Sequence, residues 1–164
     1  LEVEPWRDAM LAVSGNLDTK FGGPSGKLDD SNNRRRTIYG FVSRHKLNEL
    51  LRLFDFPDPN ITSDRRSSTT VPLQQLFVLN SDFMNRQADS LVKRLEKDVP
   101  DGGSQRIRRT YQLLYARNPS DRELAIGEEF LKQVEASSEK TDKLSPWLQY
   151  ALALLGSNEF TYID

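Results

Sequence analysis

The side chains with the greatest chemical reach lie in one stretch, Asp64-Arg65-Arg66-Ser67-Ser68-Thr69-Thr70-Val71-Pro72, which runs directly into the apolar pattern of Leu73 to Asn80. A guanidinium is a planar fork of donors that matches a carboxylate or sulfate, and a helix start offers free amides and the positive end of the helix dipole. The spacing predicts a polar pocket in which Arg65, Arg66, Thr69, Thr70, Gln74 and Asn80 hold a carboxylate, a sulfate or a sugar acid. Pro72 has no amide hydrogen, so the backbone donors would be those of Leu73 and Gln74. Arg35, within the triplet Arg34-Arg35-Arg36, would line the same groove if its segment folds back. The plainer expectation, which we favour, is that Arg65 and Arg66 tie their loop to helix C-termini and to Asp55, Asp58 or Asp64.

Other chemistries find less support. Asp29, Asp30, Asn32 and Asn33, and again Asp55, Asp58 and Asn60, offer oxygen ligands without the spacing of a calcium loop, and turn formation accounts for both clusters. His45 is the only histidine and stands between Arg44 and Lys46 on a charged, exposed stretch, with no Ser-His-Asp or Gly-x-Ser-x-Gly pattern to recruit it. Carboxylate pairs for glycoside hydrolysis need only be close in space, and the sequence singles out none. With no cysteine there is no thiol nucleophile, disulfide, cysteine zinc site or attached haem. No catalytic constellation is visible, so the reading leans away from an enzyme and assigns this segment neither metal nor cofactor.

These residues must be positioned by a chain of 164 residues, the size of one domain. The net charge of -1 gives no field for nucleic acid, although residues 31–66 carry eight bases against four acids and residues 118–164 four against nine. Basic and acidic segments are expected to pair within one fold. No apolar run reaches the roughly 20 residues that span a bilayer. The chain opens on Leu1 with helical pattern at once, which suggests a piece cut from a longer protein.

Apolar spacing predicts an all-α fold, a compact irregular helical bundle with long loops near 19–33 and 56–70. A first helix carries Trp6, Ala9, Met10, Val13 and Leu17 on one face, with Ser14-Gly15-Asn16 offering places to stop it. Thr37 to Val42 leans to helix, although its β-branched and aromatic content also suits a strand. Leu47, Leu50, Leu51 and Phe54 give a clearer stripe, broken by Phe56-Pro57-Asp58-Pro59. Pro72 opens the next helix, Ser81 caps a longer one with Phe83, Met84, Ala88, Leu91, Val92 and Leu95, and Ser104 is expected to cap a third. Asn118-Pro119-Ser120-Asp121 separates two antiparallel helices, and Ser145-Pro146 starts the last, which Gly156 ends.

Several ordered motifs resemble one family. They are Arg35-Arg36-Thr37-Ile38-Tyr39, Leu53-Phe54-Asp55-Phe56-Pro57-Asp58, Arg65-Arg66 through Pro72-Leu73-Gln74-Gln75-Leu76-Phe77-Val78-Leu79-Asn80, and Ser157-Asn158-Glu159-Phe160-Thr161-Tyr162-Ile163. Arg7 to Gly15, Gly22-Gly23-Pro24 and Leu114 to Leu124 fit as well, so the likeness to the planctomycete domain-of-unknown-function family 1553 covers nearly the whole chain. The resemblance implies the C-terminal domain of a large exported bacterial protein, periplasmic or at the cell surface, with a haem domain upstream on the same polypeptide. It implies an accessory domain whose partners are those upstream domains. The alternative is a binding or enzymatic domain that holds an acidic or sulfated carbohydrate in a basic central pocket. No catalytic residues carry over. Ser68 stands where the family often has arginine, and Val71 where a hydroxyl residue usually precedes the proline; both weaken anion binding.

Overall fold

A computed structural model of the protein describes residues 1–62, 64, 66, 72–136 and 144–161. The described residues form an all-α domain: α1 (Val3–Val13), α2 (Glu49–Leu53), α3 (Pro72–Asn80), α4 (Asp82–Asp98), α5 (Gly103–Tyr115), α6 (Asp121–Ala136), α7 (Pro146–Leu155) and α8 (Asn158–Thr161). Among the described residues, no helix is long and apolar enough to cross a membrane.

The helices follow from apolar spacing and from their caps. Ser81 accepts the Met84 amide at the start of α4, whose Met84, Ala88, Leu91 and Leu95 are buried on one face. Ser120 and Glu123 form a reciprocal capping box at the start of α6, the Ser120 amide donating to the Glu123 carboxylate at 2.7 Å. Ser145 and Pro146 open α7, whose Ala151 and Leu155 pack on α4 while Tyr150 meets α5 and α6. The apolar helix α7 thus joins a main core, built around α1 and α4, to a smaller one around Ile107, Tyr111 and Tyr150.

Three expectations need correction. Thr37–Tyr39 forms one 3-10 turn and the chain then runs extended from Gly40, because pairing with a neighbouring loop takes the backbone groups a longer helix would use. Ser104 lies inside α5 and bonds Glu128; the helix start is set by Gly102 and Gly103, both at positive φ, which glycine adopts without strain. The helix that Gly156 ends is followed by α8, whose Phe160 returns to the core.

The loop of residues 19–33 is held at several points. The Asp18 amide donates to Arg34 O at 2.8 Å, Gly26 N to Tyr39 O at 3.0 Å and Phe41 N to Gly26 O at 2.7 Å, while Leu28 is buried. A second clasp joins α5, α6 and α8, where the Arg117 guanidinium pairs with Glu123 at 2.7 Å and Glu159 at 2.6 Å and lies over the Tyr111 and Tyr115 rings. Hydrogen bonds from Arg117, then from Ser120, hold the Glu123 carboxyl down at about 2. A carboxyl whose folded pKa is depressed contributes stability that is complete above its unfolded value, about 4.3, and is lost as pH falls through the folded value. Wild type is therefore expected to exceed Glu123→Gln in stability at neutral pH, with the gap closing between about pH 4.3 and about 2. Urea unfolding of both proteins across that window checks this, and a gap independent of pH contradicts it.

Candidate functional site

Of the arginine-rich stretch, Arg65 and Thr70 lie outside the described residues, and Thr69 with them. Arg66 donates to Glu4 through both terminal nitrogens, at 2.8 and 2.9 Å, and to Glu2 at 2.9 Å, with its guanidinium 5.3 Å from the Phe56 ring centre. Its partners are Glu4 of α1 and Glu2 just before that helix, rather than Asp55, Asp58 or Asp64. The Arg66 hydrogen bond lowers the Glu4 pKa and in turn raises that of Arg66, as expected of an ion pair. Gln74 Nε2 donates to Leu53 O at 2.9 Å, joining α3 to the end of α2, and Asn80 Nδ2 donates to Leu76 O at 3.0 Å within α3.

Arg35 takes a separate path. Its guanidinium donates to Pro24 O at 2.6 Å and to Gly22 O, and its charge lies 4.1 Å from the Tyr39 ring centre. Arg35 therefore holds the 19–33 loop in shape, and Arg66 holds the chain after α2 against α1. The described residues do not bring these two guanidiniums to one ligand.

A deeper arginine organises this region. Arg7, on α1, is 1% exposed and donates to Asn33 O at 2.7 Å, Arg35 O at 3.0 Å and Thr37 Oγ1 at 3.1 Å. The next residue, Asp8, accepts the Thr37 amide and hydroxyl, each at 2.6 Å. Burial lowers the Arg7 pKa, opposed by the charge of Asp8. A visible signal was present in the sequence: Val3, Arg7, Met10, Leu11 and Ser14 share one helical face, so the arginine sits inside the apolar stripe.

This scaffold shapes two concavities. The smaller, about 620 Å³, has an acidic lip of Glu2, Glu4 and Asp8 paired with Arg66 and Arg36, and an apolar side that includes Ile38, Val42 and Phe56. The larger, about 910 Å³, runs between the 27–34 loop, residues 41–50 and the first turns of α4. Its lining holds five basic and five acidic residues, so it is balanced in charge where the sequence suggested a basic groove. Arg35, Gln74 and Asn80 line neither. Among the described residues no group of three or more His, Cys, Asp or Glu is arranged to hold a metal ion.

The geometry defines an all-α domain in which buried or half-buried arginines fasten long loops to a helical core, leaving a charge-balanced groove beside them. The chain belongs to the family described as PSD1, protein of unknown function (DUF1553), whose model matches residues 1–131. No curated protein and no solved structure matches the chain.

Proposed function

We propose that this is an accessory interaction domain of a larger exported bacterial protein, one that docks on other domains of the same polypeptide and positions them, a haem domain among them. The observation that carries the reading is an uncovered apolar ridge on a rigid segment. Ile38 is 70% exposed and Val42 42% exposed, and both border the smaller concavity. The backbone beneath them is fixed by Asp8, by the Gly40 amide on Thr37 O at 2.8 Å and by the pairing with Gly26. Large aliphatic side chains held rigidly in water suit a preformed interface, since little ordering entropy remains to be lost on contact.

The charged clusters support the same reading. The terminal nitrogens of Arg7, Arg35, Arg66 and Arg117 donate to carbonyls, a hydroxyl and carboxylates of this chain, while the Nε atoms of Arg7 and Arg35 are buried without a partner among the described residues. In crosslinking of the full-length gene product, residues flanking Ile38 and Val42 should join to a second domain. The double substitution Ile38→Asp, Val42→Asp should remove those crosslinks and leave the melting temperature within about 2 °C, as for surface changes of a few tenths of a kcal/mol. Full-length protein that shows no interdomain crosslinks at this face refutes the proposal.

A further inference from the structure

The larger groove goes beyond docking, and its balance of charges is the starting point. Equal numbers of acidic and basic residues line it, so it presents no net field to a ligand. Several of these groups, including Arg34, Arg86, Asp29 and Glu49, have no hydrogen-bond or ion-pair partner among the described residues, leaving donors and acceptors of both signs free along the walls. A ligand that satisfies such a set must both donate and accept at many points without carrying a net charge.

The second observation lies in the wall. Gln87 on α4 is 5% exposed, and its Oε1 accepts from Ser14 Oγ at 2.7 Å and from Asn16 Nδ2 at 2.9 Å. Those two bonds fix the carboxamide, leaving its NH2 without a partner among the described residues at the groove surface. That nitrogen reaches the solvent of the groove, so a ligand oxygen can take the place of water on it. Phe41, on the extended chain after the 3-10 turn, also lines the groove with a ring that is 55% exposed, as does Phe83 of α4.

We infer that this groove binds a neutral oligosaccharide. Each sugar hydroxyl both donates and accepts, matching the mixed walls and the Gln87 amide, while the apolar face of a pyranose ring can lie on Phe41. An acidic saccharide would meet as many carboxylates as cations. A peptide laid along the groove would present its own donors and acceptors at fixed backbone intervals, a poorer match to scattered side-chain heads of both signs.

Cellohexaose and xylohexaose, added to the 15N-labelled chain, test this, with hexagalacturonate and a tryptic casein peptide pool as the competing arms. A neutral hexasaccharide should shift amide signals in residues 27–34, 41–50 and the start of α4, with an affinity unchanged between 50 and 300 mM salt. Phe41→Ala should weaken it up to about tenfold, the loss of one ring contact. Gln87→Glu keeps the acceptor that Ser14 and Asn16 use and reverses the atom facing the groove, so it should weaken binding by a similar factor. If Gln87→Glu fails to fold, the exposed Phe41 keeps the proposal open to refutation. The inference is overturned if neither neutral sugar shifts these signals, if the uronate binds with steep salt dependence or the peptides bind instead, or if Phe41→Ala leaves the affinity unchanged.

Discussion

Replacing Arg7 by methionine is expected to cost about 3–5 kcal/mol of stability, a large share of the roughly 5–15 kcal/mol that holds a domain of this size together. The side chain is 1% exposed and its guanidinium spans three acceptors, two of them backbone carbonyls. Buried charges can often be exchanged for apolar groups at little cost when every partner is exchanged together. Here that route is closed, because Asn33 O and Arg35 O belong to the main chain and would lose their donor in a part-buried site. Arg7→Lys should recover only part of the loss, since one ammonium cannot reproduce a planar fork reaching three separate oxygens. The damage should also be local before it is global. In hydrogen exchange, the amides of Asp18, Gly26, Thr37 and Phe41 should lose protection in Arg7→Met, whereas those in the middle of α4 and α7 should follow the overall stability. Thermal unfolding should fall by about 10 °C. A methionine variant within about 1 kcal/mol of wild type would show that the loop is held by something else.

How much of this was legible in the sequence depends on the distance over which each contact acts. Most helices and the caps Ser81, Ser120 and Ser145 were legible, because these serines bond amides three residues onward and the apolar stripes repeat every three to four residues, whereas Ser104, expected as a cap, lies inside α5. Thr37 to Val42 was not, since its side chains suit helix and strand alike and the outcome was decided by Gly26 and Asp8, outside the segment. The same limit hid the partners of Arg66: Glu4 is 62 residues away in sequence, and nothing local distinguishes it from Asp55 or Asp58. Arg7 differs, because its place within the apolar stripe of α1 made a buried cation readable, although not the carbonyls it would meet. The balanced groove was the least legible feature, as a count of charges along segments says nothing about which of them converge in space.

Gly127 is where helix propensity and packing give opposite predictions. Alanine in a helix interior ordinarily stabilises by about 1 kcal/mol over glycine, so propensity alone expects Gly127→Ala in α6 to be a gain. In the folded domain a Cβ at this position would lie 2.6 Å from Tyr150 Oη, 3.1 Å from Tyr150 Cζ and 3.2 Å from Ile107 Cδ1. The first distance is shorter than any ordinary contact, and Tyr150 cannot swing aside freely because it is buried against Phe130 and Trp147. Overpacking of this kind costs about 1–3 kcal/mol, so the net effect should be a loss of up to about 2 kcal/mol. The Tyr150 hydroxyl is buried, makes no hydrogen bond of normal geometry among the described residues, and has its pKa raised by burial first and then by the neighbouring Tyr111 hydroxyl. Removing it in Tyr150→Phe should therefore cost little, and it removes the closest of the three contacts the new methyl would make. The double variant Gly127→Ala, Tyr150→Phe should be more stable than Gly127→Ala alone, so the cycle should show coupling of about 1 kcal/mol or more between α6 and α7. Denaturant unfolding of the four proteins measures that coupling directly. Additive effects would mean that the two helices do not meet through this glycine, and with that the smaller core and its link to α7 would need to be redrawn.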